Sequence, residues 1–214
     1  MKNINEIIPC VILAGGKGRR MGGKEKGLIN LLDRPLISYV LEKVSGKAAP
    51  IALNINTNFE KFKNFGYEIL EDPLKGHLGP LVGILASLNW AKNIRQKWVL
   101  TLPCDTPFLP QNLIESLLKV KNENPDLDLV VAKSRGFNHP VIALWKTDNN
   151  LILKKAIEEG IRKIDIFTSQ LKTAHLNFDE IDKSRSDPFT NLNSPKDLII
   201  AMQILGKLPP IFGL

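Results

Sequence analysis

The fold and the site both turn on one stretch near the start of the chain: Leu13-Ala14-Gly15-Gly16-Lys17-Gly18-Arg19-Arg20-Met21-Gly22-Gly23-Lys24-Glu25-Lys26. A continuous apolar run, Ile8 to Leu13, leads into it and has the character of a strand buried on both faces. The fourteen residues hold five glycines and five cations, which packs poorly and suits an anion. Glycines let backbone N–H groups approach oxygens that side chains would otherwise shield. Lys17, Arg19, Arg20, Lys24 and Lys26 add the charge a polyphosphate requires, and an arginine can grip two oxygens at once. The alternative is a basic loop without function, but structureless loops of this length inside a compact domain are uncommon.

Spacing separates the phosphate-binding motifs that compete for these residues. The dinucleotide fingerprint needs a third glycine after Gly16 and Gly18, and Met21 stands there instead. Gly18 to Lys24 fits the Walker-A spacing, yet the Ser or Thr that should meet magnesium is Glu25, a carboxylate that would repel phosphates. What remains is a Leu-Ala-Gly-Gly opening, Arg20-Met21-Gly22 and a lysine at Lys26.

Composition narrows the partner. With 214 residues the chain suits one sizeable domain, and 43% hydrophobic with 24% charged residues is ordinary for a globular protein. No apolar run is long enough to cross a bilayer, and Met1 to Pro9 lacks the pattern of a secretory signal, so the expected location is the cytoplasm. Cys10 and Cys104 are too few for a disulfide framework and have no zinc spacing, so both are expected as free buried thiols. A formal charge of +7 points to an anionic partner. Cations gathered in a glycine loop favour a phosphorylated small molecule, and no arginine-rich arm, zinc finger or aromatic RNA motif argues for nucleic acid.

Beyond the loop, strand and helix alternate, which predicts a mostly parallel sheet with helices on both faces, a three-layer Rossmann-like α/β fold. Strands are expected at 8–13, 50–54, 68–70, 96–102, 127–132 and 174–178, with 140–145 antiparallel to its neighbour and a short extended piece at 28–31. Helices are expected from Pro35 to Val44 and over 57–65, 81–92, 110–122, 150–159, 164–172 and 195–205. The apolar tail, Pro209 to Leu214, is expected to dock on the body.

In such sheets ligands bind beyond the carboxyl ends of the strands, so the polar residues there are the candidates. Gly15 and Gly16 follow the first strand, Asn54 the second, Asp72 the third, and Asp105 the strand ending near Leu102. Each taken singly is better explained as a turn-former or cap, but one topology gathers all four on one rim. Asp105, in Pro103-Cys104-Asp105-Thr106-Pro107, is well placed for a divalent cation carried by phosphate oxygens. Cys104 lacks a base beside it and reads as a packing residue. His139 reads as a turn residue bonding a backbone carbonyl, or as a contact to a phosphate of a second substrate; His77 reads as part of a loop over the nucleotide, and His175 as structural.

The opening loop resembles the signature of nucleotidyltransferases. Together with Glu71-Asp72-Pro73, Gly79-Pro80-Leu81-Val82-Gly83, Pro103 to Pro107, His139 to Leu144 and Asn191-Leu192-Asn193-Ser194-Pro195, it resembles the ordered motifs of the molybdenum cofactor guanylyltransferases over nearly the whole chain. The resemblance implies transfer of GMP from GTP to molybdenum-molybdopterin with release of pyrophosphate. It implies GTP contacts at Leu13, Ala14, Gly15, Lys26, Asn54, Asp72 and Asp105, with Gly16, Arg20, Gly79 and Gly83 nearby. Asp105 would be the ligand of Mg2+, Asp105, Lys26 and Arg20 would carry the catalysis, and Asn191 and Asn193 would meet the pterin. The implied division is a nucleotide part at about 6–108 and a pterin part at about 109–206, within one domain over 1–214. Cofactor-assembly proteins or chaperones of apo-molybdoenzymes are the implied transient partners. Gly18 departs from the Ala or Ser common in relatives, and 93–98 and 184–190 match no pattern. Two alternatives share the loop: a transferase using CTP or a sugar phosphate, and a nucleotide-binding regulator without activity.

Overall fold

The structure is a computed structural model and describes residues 7–18, 24–74, 79–181 and 187–206. Arg20, His77 and the tail from Pro209 lie outside the described residues. Seven strands form one sheet: β1 (Ile8–Leu13), β2 (Ala48–Asn54), β3 (Glu68–Leu70), β4 (Trp98–Pro103), β5 (Leu129–Ser134), β6 (Phe137–Lys146) and β7 (Thr173–Asn177). Their spatial order is β7-β5-β6-β4-β1-β2-β3. β1 runs parallel to both β2 and β4, and β2–β3 and β5–β7 are also parallel. Only β6 runs against its neighbours, β4 and β5. The expected mostly parallel sheet is therefore present, and so is its antiparallel member.

Helices α1 (Leu36–Val44), α2 (Phe59–Lys63), α3 (Pro80–Asn93), α4 (Leu113–Glu123), α5 (Asn150–Glu158), α6 (Ile164–Thr168) and α7 (Pro195–Ile204) complete the fold. β1 shows how the layers form. Its side chains alternate, so Ile8, Cys10 and Ile12 join a core with Ile37 and Val40 of α1, Phe62 of α2 and Leu117 of α4. Val11 points the other way, into a core with Leu85 of α3, Ile157 of α5 and Phe167 of α6. All of these β1 residues are at most 2% exposed, which is why an unbroken apolar run encodes a strand here.

Several elements begin later or end sooner than periodicity predicts. α4 starts at Leu113, because the Leu113 N–H closes a turn on Pro110 O and leaves 110–112 outside the helix. α2 starts after Asn58, whose φ of 56° is left-handed. β4 starts at Trp98, since Gln96 N–H still bonds back to Ala91 O behind α3. α6 stops at Thr168, where Leu171 N–H turns back on Thr168 O and Lys172 O receives the amides of Asp128 and Leu129 beside β5. The extended piece expected at 28–31 is a 3-10 turn at Lys26–Leu28 followed by a two-residue strand, Asn30–Leu31.

Candidate active site

The topology fixes where a ligand can sit. From β1 the chain moves outward to β2 and β3, then crosses back through α3 to β4 on the other flank of β1. The crevice beyond the carboxyl ends of β1 and β4 is thus a topological switch point. Register brings the strand ends level: Leu13 pairs with Asn54 on one side and Pro103 on the other, and Asn54 pairs with Leu70. Gly15, Asn54, Asp72 and Asp105 consequently share one rim.

The β1 end is stitched by backbone bonds. Ala14 N–H donates to Asn54 O at 2.9 Å and Cys104 N–H to Leu13 O at 3.2 Å. Ala14 is fully buried with its amide engaged, whereas among the described residues no hydrogen bond engages the amides of Gly15 and Gly16.

On the β2–β3 side, two asparagines hold one carboxylate. Asn54 Nδ2 donates to Asp72 Oδ1 at 2.9 Å and to Leu70 O at 3.2 Å. Asn56 Nδ2 donates to Asp72 Oδ2 at 2.8 Å, and Asp72 N–H returns a bond to Asn56 Oδ1 at 3.0 Å. Two glycines make room for this network. A Cβ on Gly15 would lie 2.4 Å from Asn56 Nδ2, and one on Gly83, within α3, 2.6 Å from Asn54 Oδ1. Gly79, whose φ is 79°, caps α3 ahead of Pro80. Asn56 belongs to this network but not to the residues expected from sequence; a second Asn two positions beyond Asn54 is the available signal.

The β4 side carries the charge. Asp105, 4% exposed, accepts from the Lys26 ammonium at 2.5 Å. Lys26 also donates to Asn193 Oδ1. Three residues far apart in sequence therefore meet at one point of the crevice. Asn191, the other residue expected on the second-substrate side, is exposed. Cys104, next to Asp105, is 3% exposed, and burial followed by the neighbouring Asp105 charge pushes its thiol far up, so it is a packing residue and not a nucleophile.

Glu25 turns its carboxylate toward the segment that follows β2. It is 8% exposed, and its Oε1 accepts from Thr57 Oγ1 at 2.5 Å and Asn58 Nδ2 at 2.8 Å, tying the return of the glycine loop to the end of β2. Among the described residues its Oε2 is buried without a hydrogen-bond partner. His139 lies inside β6 and bonds Ser134 Oγ at 2.8 Å, not the backbone carbonyl expected of a turn residue. Ser134 Oγ donates in turn to Asp187 Oδ1 at 2.7 Å, so it accepts from the imidazole Nε2–H. Burial lowers the His139 pKa while Asp187 opposes that shift. His175, on β7, is exposed.

For a magnesium ion the donor set fits. Magnesium takes one or two protein carboxylates and completes its octahedron with substrate phosphates and water, and Asp105 with its rim position is such a carboxylate. Among the described residues no cluster of three His, Cys, Asp or Glu could build an all-protein metal cage. Nor, among them, is any helix long and apolar enough to cross a membrane.

A mostly parallel Rossmann-like sheet, a glycine turn and a carboxylate–lysine pair at its switch point form a crevice of the kind in which open α/β sheets bind their ligands. Comparison with known proteins carries this further. Residues 10–171 match the family model described as the MobA-like NTP transferase domain. A curated molybdenum cofactor guanylyltransferase of Rhodopseudomonas palustris (strain BisB5) is 38% identical over 92% of this chain and 93% of its own length. The one from Shewanella sediminis is 34% identical over 88% and 92%. A solved structure, molybdopterin-guanine dinucleotide biosynthesis protein A from Archaeoglobus fulgidus, superposes with a TM-score of 0.76 at 28% identity, covering 94% of this chain and all of that one. The chain belongs to the MobA-like NTP transferases and, within them, to the molybdenum cofactor guanylyltransferase family. A CMP-2-keto-3-deoxy-manno-octonic acid synthetase, at 11% identity and a TM-score of 0.67, shares the fold alone.

Proposed function

We propose that the protein transfers GMP from GTP to the terminal phosphate of molybdenum-molybdopterin. The observation that carries this is the Lys26–Asp105 pair in the crevice between β1 and β4; family membership supplies the substrates. An acceptor phosphate oxygen attacks the α-phosphorus, the bond from that phosphorus to the β-phosphate bridging oxygen breaks, and pyrophosphate leaves with the electron pair. A phosphate monoester is largely anionic at neutral pH, so no strong general base is required. The site must instead gather two polyanions and stabilise charge in flight.

Gly15 and Gly16 offer backbone amides to the GTP phosphates beside Leu13 and Ala14. Lys26 neutralises oxygens of the transferred group, with Arg20 from the same loop assisting. Asp72, held by Asn54 and Asn56, faces the nucleoside side, and Gly79 starts the helix that flanks it. Asp105 would hold the Mg2+ that accompanies GTP, and that ion would supply neutralising charge to the phosphates. Asn191 and Asn193 lie on the pterin side, within an acceptor part at about 109–206 that follows the nucleotide part at about 6–108. Such a protein works in the cytoplasm and hands its product to cofactor-assembly proteins or chaperones.

The test is pyrophosphate release by the purified protein with magnesium and molybdenum-molybdopterin, comparing GTP with CTP. Release that requires GTP and the acceptor together is the expected result. Preference for CTP, or GTP binding without pyrophosphate release, would overturn the proposal in favour of a cytidylyltransferase or a non-catalytic regulator.

A further inference from the structure

The segment leading into α7 touches both members of the Lys26–Asp105 pair. Leu192 N–H donates to Asp105 O at 3.0 Å, and Asn193 Oδ1 accepts from the Lys26 ammonium. Leu192, 1% exposed, packs among Ile29, Leu31 and Leu36, the chain that follows Lys26. Asn193 is itself held: its N–H and that of Ser194 both donate to Asp197 Oδ2, each at 2.8 Å. Asp197 is the third residue of α7, and its N–H returns a bond to Ser194 Oγ at 3.3 Å, closing a capping box. A continuous chain of contacts therefore runs Asp197–Asn193–Lys26–Asp105.

A lysine ammonium is a flexible point charge with three donors, and unguided it samples many rotamers. Here Asp105 takes one donor and Asn193 another, which fixes the head group and leaves a third. We infer that Asn193, oriented by Asp197, is a positioning residue for Lys26, so that the acceptor-side segment sets the nucleotide site before any acceptor arrives. This rests on the assignment of Lys26 to the GTP phosphates and changes the part played by Asn193. It acts on the nucleotide through Lys26, beyond any contact with the pterin. Asp197 likewise does more than cap a helix.

The test is the affinity for GTP with magnesium and no acceptor, by titration calorimetry. Asn193→Ala weakens GTP about tenfold, the size of a hydrogen bond to a charged group. Asp197→Ala does the same, and Asp197→Asn restores most of the affinity, because an amide oxygen can still accept the Asn193 N–H. Ser194→Ala removes the other half of the capping box; it lowers the unfolding midpoint and leaves GTP affinity within about twofold. In a Lys26→Ala background, Asn193→Ala adds less than about twofold. Full additivity of the two, or an Asn193→Ala enzyme that raises only the KM for the acceptor, overturns the inference. Should the wild-type protein bind no GTP, the proposed function falls. The positioning link is then read from the same Lys26–Asn193 cycle in urea unfolding of the ligand-free protein, where additivity refutes it and coupling upholds it.

Discussion

Gly83→Ala is the substitution whose outcome follows most closely from the geometry. Gly83 sits inside α3, where alanine is ordinarily preferred by about 1 kcal/mol. Its added Cβ, however, would stand 2.6 Å from Asn54 Oδ1 and 3.4 Å from both Asn54 Cγ and Leu13 Cδ2. Asn54 cannot swing away cheaply, being 3% exposed and bonded to Leu70 O and Asp72 Oδ1. Overpacking of this kind costs about 1–3 kcal/mol. If the amide is expelled, Asp72 loses a buried donor at a further cost of about 1–3 kcal/mol. Set against the helix-propensity gain, the net with the amide expelled is a loss of about 1–5 kcal/mol in urea unfolding, accompanied by weaker GTP binding, because Asn54 and Asp72 form one wall of the crevice. The double variant Asn54→Ala/Gly83→Ala isolates the cause: with the amide gone, Gly83→Ala becomes neutral or stabilising. A Gly83→Ala protein as stable as wild type with unchanged GTP affinity would refute the steric reasoning, as would an undiminished cost in the Asn54→Ala background.

Other outcomes follow from the same contacts. Lys26→Ala strips Asp105 of its cation while the carboxylate stays buried, and at the α-phosphate removal of such preorganised charge costs about a hundredfold to a thousandfold in turnover, measured as pyrophosphate release. Glu25→Ala leaves Thr57 Oγ1 and Asn58 Nδ2 without their shared acceptor and loosens the glycine loop from the β2 end; it destabilises by about 1–3 kcal/mol in denaturant unfolding. His139 makes stability depend on pH with a definite sign. Its folded pKa is lowered by burial, so between that value and the ordinary value of about 6.5 the unfolded chain holds the extra proton and stability falls as pH drops through this window. His139→Gln removes that part of the slope in urea unfolding from about pH 8 to about pH 5; an unchanged slope would assign it to other groups.

Much of the fold could be read from residue pattern, because strands buried on both faces write themselves as apolar runs, as Ile8 to Leu13 does. The strand-end row of Gly15, Asn54, Asp72 and Asp105 was readable for a related reason: a parallel sheet aligns its carboxyl ends, and the register does so here. The less local features were not readable. Nothing near Glu25 in sequence announces that its carboxylate turns to Thr57 and Asn58, some thirty positions on. Asn193 and Lys26 are separated by 167 positions, and only the closed fold brings the α7 cap to the glycine loop. The turn reading of His139 fails because His-Pro suggests a turn, whereas β6 extends back to Phe137 and pairs His139 with Ala132 of β5. Short helices such as α6 end where a tight turn competes with apolar spacing, and spacing alone does not register the turn.

The central claim is that the Asp105 carboxylate in the β1–β4 crevice organises the charge of the transfer. Single-turnover pyrophosphate release with GTP, magnesium and molybdenum-molybdopterin, comparing wild type with Asp105→Asn, tests it most directly. Asparagine keeps the shape and an acceptor oxygen for Lys26, so the unfolding midpoint stays near wild type and the loss is one of charge. The expected rate is lower by about a hundredfold or more, and a folded Asp105→Asn protein turning over at the wild-type rate would contradict that role for the carboxylate.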